Sequence, residues 1–185
     1  MVNEINPKKS YKDDQLKIII TQEEIEAKVL ELGRRISEEY AGKELILVGV
    51  LRGSTYFIVD LSRKMHIPFA LDFISISHYN DTSGPAGVVR ITKDLELSIT
   101  DKHVLIVEDI VDTGLSLGYL IRNLKTRNPA SLKVCTMVNV EARRIVGVPV
   151  EYKGFDLPNI YVVGYGLDYK ERYRNLQFIA EFDRS

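Results

Sequence analysis

Glu108 and Asp109 stand side by side, and Asp112-Thr113-Gly114-Leu115-Ser116 follows after two apolar residues. Two hydroxyls around a glycine, at the start of a helix, suit a phosphate monoester because free backbone N–H groups and the helix dipole both favour an anion there. Adjacent carboxylates do the reverse: they repel phosphate, but accept hydrogen bonds from a sugar diol or serve a divalent cation. An acid pair beside an anion cradle therefore points to a ribose 5-phosphate. The cradle has neither the Lys of a P-loop nor a GxGxxG run, which argues against a nucleoside triphosphatase or a dehydrogenase. Cys135 is the only cysteine, so no intrachain disulfide or multi-thiolate metal site can form. His66 and His103 lie at element ends without ligand spacing and read as structural.

Such residues need strands that deliver them to one edge. Val104 to Val107 is an apolar strand running directly into the acids, and Leu117, Leu120, Ile121 and Leu124 space as the helix behind the cradle, ended by Asn128-Pro129. Leu45 to Val50 is nearly continuous in apolar residues, as in a parallel strand covered on both faces. It ends at Leu51-Arg52-Gly53-Ser54, and Thr55 to Met65 reads as a helix. Upstream, Leu16 to Ile20 is a short strand and Thr21 to Glu24 has the spacing of a capping box, opening a helix with Ile25, Val29, Leu32, Ile36 and Tyr40 on one stripe. Further strands are expected at Phe69 to Ser77, Leu132 to Val140, Ile160 to Val163 and Phe178 to Phe182, with an exposed loop over Asn80 to Gly87. The alternation of strand and helix predicts an α/β domain with a largely parallel sheet and right-handed crossovers, with ligands beyond the ends of the strands at Val50, Ser77, Val107, Val140 and Val163.

The chain has 185 residues, 45% hydrophobic and 28% charged, enough to bury a core as one domain spanning 1–185 with a polar N-terminal arm over 1–14. Its 25 Lys and Arg against 26 Asp and Glu leave a net charge of −1, which gives no global reason to expect nucleic acid or an anionic membrane as partner. No apolar run approaches the roughly 18 residues that cross a bilayer, and the N-terminus lacks an apolar signal core, so a cytoplasmic location is expected.

The stretch Val104 to Leu117 (VLIVEDIVDTGLSL) closely resembles the phosphoribosyl-diphosphate signature of the type I phosphoribosyltransferases. The likeness extends over nearly the whole chain, toward the hypoxanthine and guanine branch. Val48 to Ser54 (VGVLRGS) looks like its diphosphate loop, His78-Tyr79 falls where its mobile loop begins, and Val162 to Tyr169 with Tyr173 to Leu176 looks like its base-binding and C-terminal segments. The resemblance implies a type I phosphoribosyltransferase fold, a mainly parallel sheet flanked by helices with a small hood formed by the termini. It also implies a reaction in which a purine nitrogen displaces Mg-bound pyrophosphate from phosphoribosyl diphosphate, giving a nucleoside monophosphate for purine salvage, in a homodimer or homotetramer. Mg²⁺ is the implied cofactor, at Glu108, Asp109 and Asp168. Arg52, Gly53 and Arg174 match the positions that meet the diphosphate, where the peptide bond before Gly53 can be cis. Thr113, Gly114, Leu115 and Ser116 would hold the 5-phosphate, and Glu108 and Asp109 the ribose hydroxyls. Asp112 matches the general base facing purine N7. Ile110 and Tyr161 would sandwich the ring, the backbone of Val162 would read its edge, and Asp168 lies near metal and base.

Two departures lie near the base. Family members usually carry an Asp-Lys-Pro triplet whose ammonium meets the purine 6-oxygen, and here it reads Asn139-Val140-Glu141, followed by Arg143-Arg144. His78 replaces the usual Ser before the loop Tyr79. Val140 therefore leaves open the same reaction on a different or modified base, and the fold also serves nucleotide-sensing regulators. Retention of Asp112 and both diphosphate arginines favours the enzyme.

Overall fold

The computed structural model describes residues 16–79 and 88–183. The strands are β1 (Lys17–Ile20), β2 (Leu45–Leu51), β3 (Ala70–Tyr79), β4 (Val88–Lys93), β5 (His103–Val111), β6 (Ser131–Asn139), β7 (Tyr152–Asp156), β8 (Val162–Val163) and β9 (Ile179–Glu181). The helices are α1 (Gln22–Glu39), α2 (Thr55–Arg63) and α3 (Leu115–Lys125), with a 3-10 turn at Glu141–Arg143.

Six strands form the main sheet in the order β4-β3-β2-β5-β6-β7, parallel throughout except for the antiparallel β3–β4 pair. The continuous apolar runs of β2 and β5 are what two covered faces require. One face carries α1 and α2 in a cluster that includes Ile25, Val29, Leu32, Phe57, Ile58, Leu105 and Val107. The other carries α3, with Leu117, Leu120, Ile121 and Leu124 packed on Ile46, Val48, Val104 and Ile106. The expected capping box is formed, Thr21 Oγ1 accepting from Glu24 N–H while the Glu24 carboxylate accepts from Thr21 N–H. The hood is a three-stranded antiparallel sheet, β1-β9-β8, in which the first and last described strands pair.

Four details differ from the pattern-based expectation. β5 runs to Val111, so Glu108 and Asp109 lie on the strand rather than in the loop after it. β8 belongs to the hood, so the segment after Val163 enters the site from above the sheet. β4 and β7 were not signalled: both are outer strands of the main sheet, and in β7 a Cβ on Gly154 would lie 2.4 Å from the Met137 carbonyl oxygen, a backbone contact no hydrophobic pattern records. The cis peptide is Leu51–Arg52, one bond before the expected place. The N-terminal arm and the loop Asn80 to Gly87 lie outside the described residues.

Asp72, a buried acid on β3, holds the crossover into β5. Its Oδ2 accepts from Glu96 N–H (2.8 Å) and Leu97 N–H (2.9 Å), its Oδ1 from Phe73 N–H (2.7 Å), and Lys93 Nζ lies 3.7 Å away. Burial alone would raise this carboxyl, but the three N–H groups and Lys93 outweigh it and hold it below the ordinary range. Asp72→Ala is expected to destabilise the fold by about 1–3 kcal/mol in urea melts, because three part-buried N–H groups lose the buried carboxylate that accepts from them. A lowered carboxyl contributes above its unfolded pKa near 4, so the difference between the two proteins should shrink as pH falls below that value.

Candidate active site

Three chain segments meet at Gly53. β2 brings Leu51 to Ser54, β5 brings Glu108 to Asp112, and the segment after β8 brings Gly164 to Arg174. A Cβ on Gly53 would fall 1.6 Å from Asp109 Oδ2, and one on Gly166 would fall 1.9 Å from the Gly53 carbonyl oxygen. Gly166 also has a φ of +98°, which few L residues adopt. Side chains are excluded at both positions, so the backbone of the diphosphate-loop candidate lies directly between the acid and the hood. Ser54, fully buried, ties the turn down by donating to the Val50 carbonyl (2.7 Å).

Neighbouring residues of a strand point to opposite faces. Glu108 lines a cavity of about 180 Å³ with Val50, Ile110, Asp112, Thr113, Gly114 and Ser116. Asp109 lies on the other side, against Gly53. Burial raises the Glu108 carboxyl well above its ordinary range, and the charges of Asp109 and Asp112 push it the same way. Burial likewise raises Asp109 to about 6, against hydrogen bonds from Ile110 N–H and its own N–H and the opposing charge of Arg174. In the cradle, Asp112 Oδ1 accepts from the N–H of the next residue, Thr113 (2.6 Å), and Gly114 takes a φ of +78° as the N-cap of α3. A Cβ on Gly114 would lie 2.3 Å from the Val146 carbonyl oxygen. Ile145 and Val146 both donate to the Thr113 carbonyl (2.9 and 3.0 Å), docking the segment after β6 onto the cradle.

The two arginines expected at the diphosphate are brought together by a residue that spacing did not single out. Glu171 pairs through Oε1 with Arg52 Nη2 (2.7 Å) and through Oε2 with Arg174 Nη2 (3.1 Å). Arg174 also reaches Asp168 Oδ1 (2.8 Å) and the Gly166 carbonyl (2.7 Å), and Asp168 Oδ2 accepts from Glu171 N–H (2.8 Å). The three-residue spacing of the charged side chains Asp168, Glu171 and Arg174 was the available signal for Glu171. Asp112 carries a second partner found only in the structure, Arg143, whose Nη1 lies 3.4 Å from Asp112 Oδ2.

The expected base-binding residues gather less uniformly. Ile110, Val140 and Val162 belong to one apolar cluster, with Val140 only 1% exposed. Tyr161 is fixed in the hood, its hydroxyl donating to the Asp168 carbonyl (2.7 Å) and its ring edge-on to Tyr169. His78 and Tyr79 pair as backbone with Val89 and Val88 at the end of β3. Among the described residues no three Asp, Glu, His or Cys side chains form a group able to hold a metal ion, so Glu108, Asp109 and Asp168 are not a ready-made cage. The strand sends the first two to opposite faces, and Arg174 occupies the third.

A parallel sheet with a terminal hood, an acidic strand end and an anion cradle opening α3 defines a phosphoribosyltransferase-type domain, and the Phosphoribosyl transferase domain family matches residues 15–170. A hypoxanthine-guanine phosphoribosyltransferase of Mycobacterium avium is 45% identical over 183 residues, covering 96% of this chain and 90% of the relative. A hypoxanthine phosphoribosyltransferase of Salmonella typhimurium is 44% identical, covering 90% and 94%. The crystal structure of a hypoxanthine phosphoribosyltransferase from Staphylococcus aureus superposes with a TM-score of 0.89 at 36% identity, covering 96% of this chain and 97% of that one. The chain belongs to the hypoxanthine-guanine phosphoribosyltransferase family.

The contact at Gly53 gives a measurable coupling. Gly53→Ala is expected to cost about 1–3 kcal/mol in thermal melts, since the new methyl must expel the Asp109 carboxylate. In an Asp109→Ala background the same change should cost clearly less. Asp109→Ala alone should melt higher than the parent at pH 7.5. A raised carboxyl favours the folded state only while protonated, so that gain should shrink as pH falls from 6 toward 4.

Proposed function

We propose that this protein transfers the phosphoribosyl group of phosphoribosyl diphosphate to a 6-oxopurine, hypoxanthine or guanine, releasing pyrophosphate and a nucleoside 5′-monophosphate. The observation that carries this reading is that the end of β5 joins an anion cradle, reached from Glu108 on one side, to two arginines bridged by Glu171 near the Gly53–Asp109 contact on the other, in a chain 45% identical to a hypoxanthine-guanine phosphoribosyltransferase over nearly its whole length.

Each part has a task in the displacement. The cradle Thr113, Gly114, Leu115 and Ser116 takes the 5-phosphate at the N-terminus of α3, where N–H groups and the helix dipole face the anion. Glu108 and Asp109 accept hydrogen bonds from the ribose hydroxyls, one from each side of the strand end. Arg52 and Arg174, with the Gly53 backbone, receive the pyrophosphate as the bond from C1′ to its oxygen breaks and the bond from purine N9 forms. Asp112 accepts the proton that the purine loses on the N7 side. Ile110 and Tyr161 flank the ring, and Val162 lies along its edge. The donor set fits Mg²⁺ in its usual manner, one or two carboxylates completed by substrate phosphates: Asp109 and Asp168, on the Gly53 side of the strand, would hold it there, and Glu108 would serve an ion only on the cradle side. When bound, the ion neutralises charge on the leaving pyrophosphate.

The decisive assay is pyrophosphate release from Mg-phosphoribosyl diphosphate with hypoxanthine or guanine. Asp112→Asn should lower turnover roughly 10²- to 10⁴-fold, with KM for phosphoribosyl diphosphate nearly unchanged, because the amide cannot take the proton. Full turnover by that variant would remove Asp112 from the base role. Glu171→Gln tests the diphosphate pocket. The carboxylate competes with pyrophosphate for Arg52 and Arg174, so its loss should tighten pyrophosphate inhibition by about two- to fivefold, the scale of an exposed ion pair.

A further inference from the structure

The absence of an ammonium at position 140 leaves a question of chemistry, namely which group meets the 6-position of the base. Val140 itself offers nothing polar. Its side chain is in the core, its N–H donates to the Val111 carbonyl (2.9 Å) and its carbonyl accepts from Arg143 N–H (3.1 Å). Asn139 is also committed within the fold, its Nδ2 donating to Asp156 Oδ1 (2.6 Å) and its Oδ1 accepting from Arg144. Arg144 turns inward, to Asn139 and the Val111 carbonyl, and Lys153 is held by Asp156 (2.9 Å). Arg143 alone of these cations turns to the cleft, where it pairs with Asp112 across 3.4 Å. Both partners keep more than a third of their side-chain surface open to solvent, 38% for Arg143 and 36% for Asp112.

We propose that Arg143 reads the 6-substituent of the purine and selects a 6-oxo over a 6-amino base. The inference rests on the phosphoribosyl transfer proposed above. A 6-oxopurine presents, on the edge that carries N7, a carbonyl acceptor at O6 next to the nitrogen whose proton Asp112 takes. A carboxylate with a guanidinium 3.4 Å away offers the complementary acceptor and donor. The guanidinium has five N–H groups in a planar fork, so it can donate to O6 without releasing Asp112. A 6-aminopurine turns an NH₂ toward the same place, and a donor then meets a donor. The placement is built by the backbone on both sides: Arg143 closes the 3-10 turn that begins on Val140, and Ile145 and Val146 bind the Thr113 carbonyl of the cradle. Arg143 is thus held beside Asp112 by the same hydrogen bonds that dock this segment on the phosphate loop.

The test uses the full chain with saturating Mg-phosphoribosyl diphosphate and three bases: hypoxanthine, adenine and unsubstituted purine, which lacks the 6-oxygen. The parent protein should prefer hypoxanthine over both others. Arg143→Gln should lower kcat/KM for hypoxanthine roughly ten- to a hundredfold, the scale of one charge-assisted hydrogen bond, and leave unsubstituted purine nearly unaffected. KM for phosphoribosyl diphosphate should stay within about twofold. A merely structural role would depress all bases together, so an equal loss on hypoxanthine and unsubstituted purine overturns the proposal, as does an unchanged preference. Arg143→Lys should retain most of the hypoxanthine preference. If Arg143→Gln fails to fold, Arg143→Met takes its place under the same readouts: a loss confined to hypoxanthine, with a native melt and unchanged KM for phosphoribosyl diphosphate, supports the assignment, an equal loss on all bases overturns it, and a parent preference for adenine or purine over hypoxanthine also sinks it. Absence of turnover by the parent on every purine would overturn the transfer reaction itself, and with it this assignment.

Discussion

Like charge held out of water at the end of β5 is the constraint on which the site depends. Glu108 and Asp109 are adjacent, Asp112 follows within one turn, and both strand carboxylates are pushed upward chiefly by burial. A raised carboxyl stabilises the fold only below its unfolded pKa and loses that contribution as pH rises through its folded value, about 6 for Asp109, so at neutral pH the site is a source of instability. The surrounding groups answer that charge. Arg174 bears on Asp109, Arg143 on Asp112, and the start of α3 presents its positive end to the cavity beside Glu108. The apolar strands beneath, buried on two faces, hold the acids where they could not hold themselves.

Much of this was written locally in the chain. The capping box at Thr21, the apolar runs of β2 and β5, and the contiguous acid and cradle stretch each express a short-range rule, and the structure places each as that rule requires. The failures share a cause. β4 and β7 lie at the two margins of the sheet, where burial imposes no continuous apolar run, and the two-residue β8 is a strand only because β9 lies beside it. The extension of β5 through Glu108 to Val111 ran against the expectation that charges end a buried strand. Here Thr136, Val138 and Asn139 of β6 continue the ladder regardless of side-chain charge.

Within the site, the same division separates backbone from side chain. That Gly53 and Gly166 must lack side chains follows from contacts between segments far apart in the chain, Asp109 for the first and Gly53 for the second, and neither glycine announces its neighbour. Glu171 and Arg143 were visible as charges, but a long side chain at a turn can point several ways, and only the fold showed which arginine faces Asp112 and which turns in to Asn139. Val140 is the instructive middle case. Its departure from the family pattern was plain in the sequence, whereas its consequence depended on seeing that both its side chain and its backbone are consumed by the core.

The site therefore consists of a fixed floor and an exchangeable rim. The floor is set by close approaches at glycines: Gly53 against the Asp109 carboxylate, Gly166 against the Gly53 carbonyl, and Gly114 against the Val146 carbonyl. The rim consists of ion pairs among partly exposed side chains, Arg52 with Glu171, Arg174 with Asp168 and Glu171, and Arg143 with Asp112. Pairs of that kind are weak individually and exchange partners at small cost. An anionic ligand meeting this rim does not need to order free arginines; it replaces a carboxylate that already holds them in place, so less side-chain entropy is lost on binding. On the proposed reading, the displaced carboxylates are released beside the ligand's own negative charge, where a divalent cation is the natural third participant, and an acid-rich site with few cations favours a diphosphate in this way.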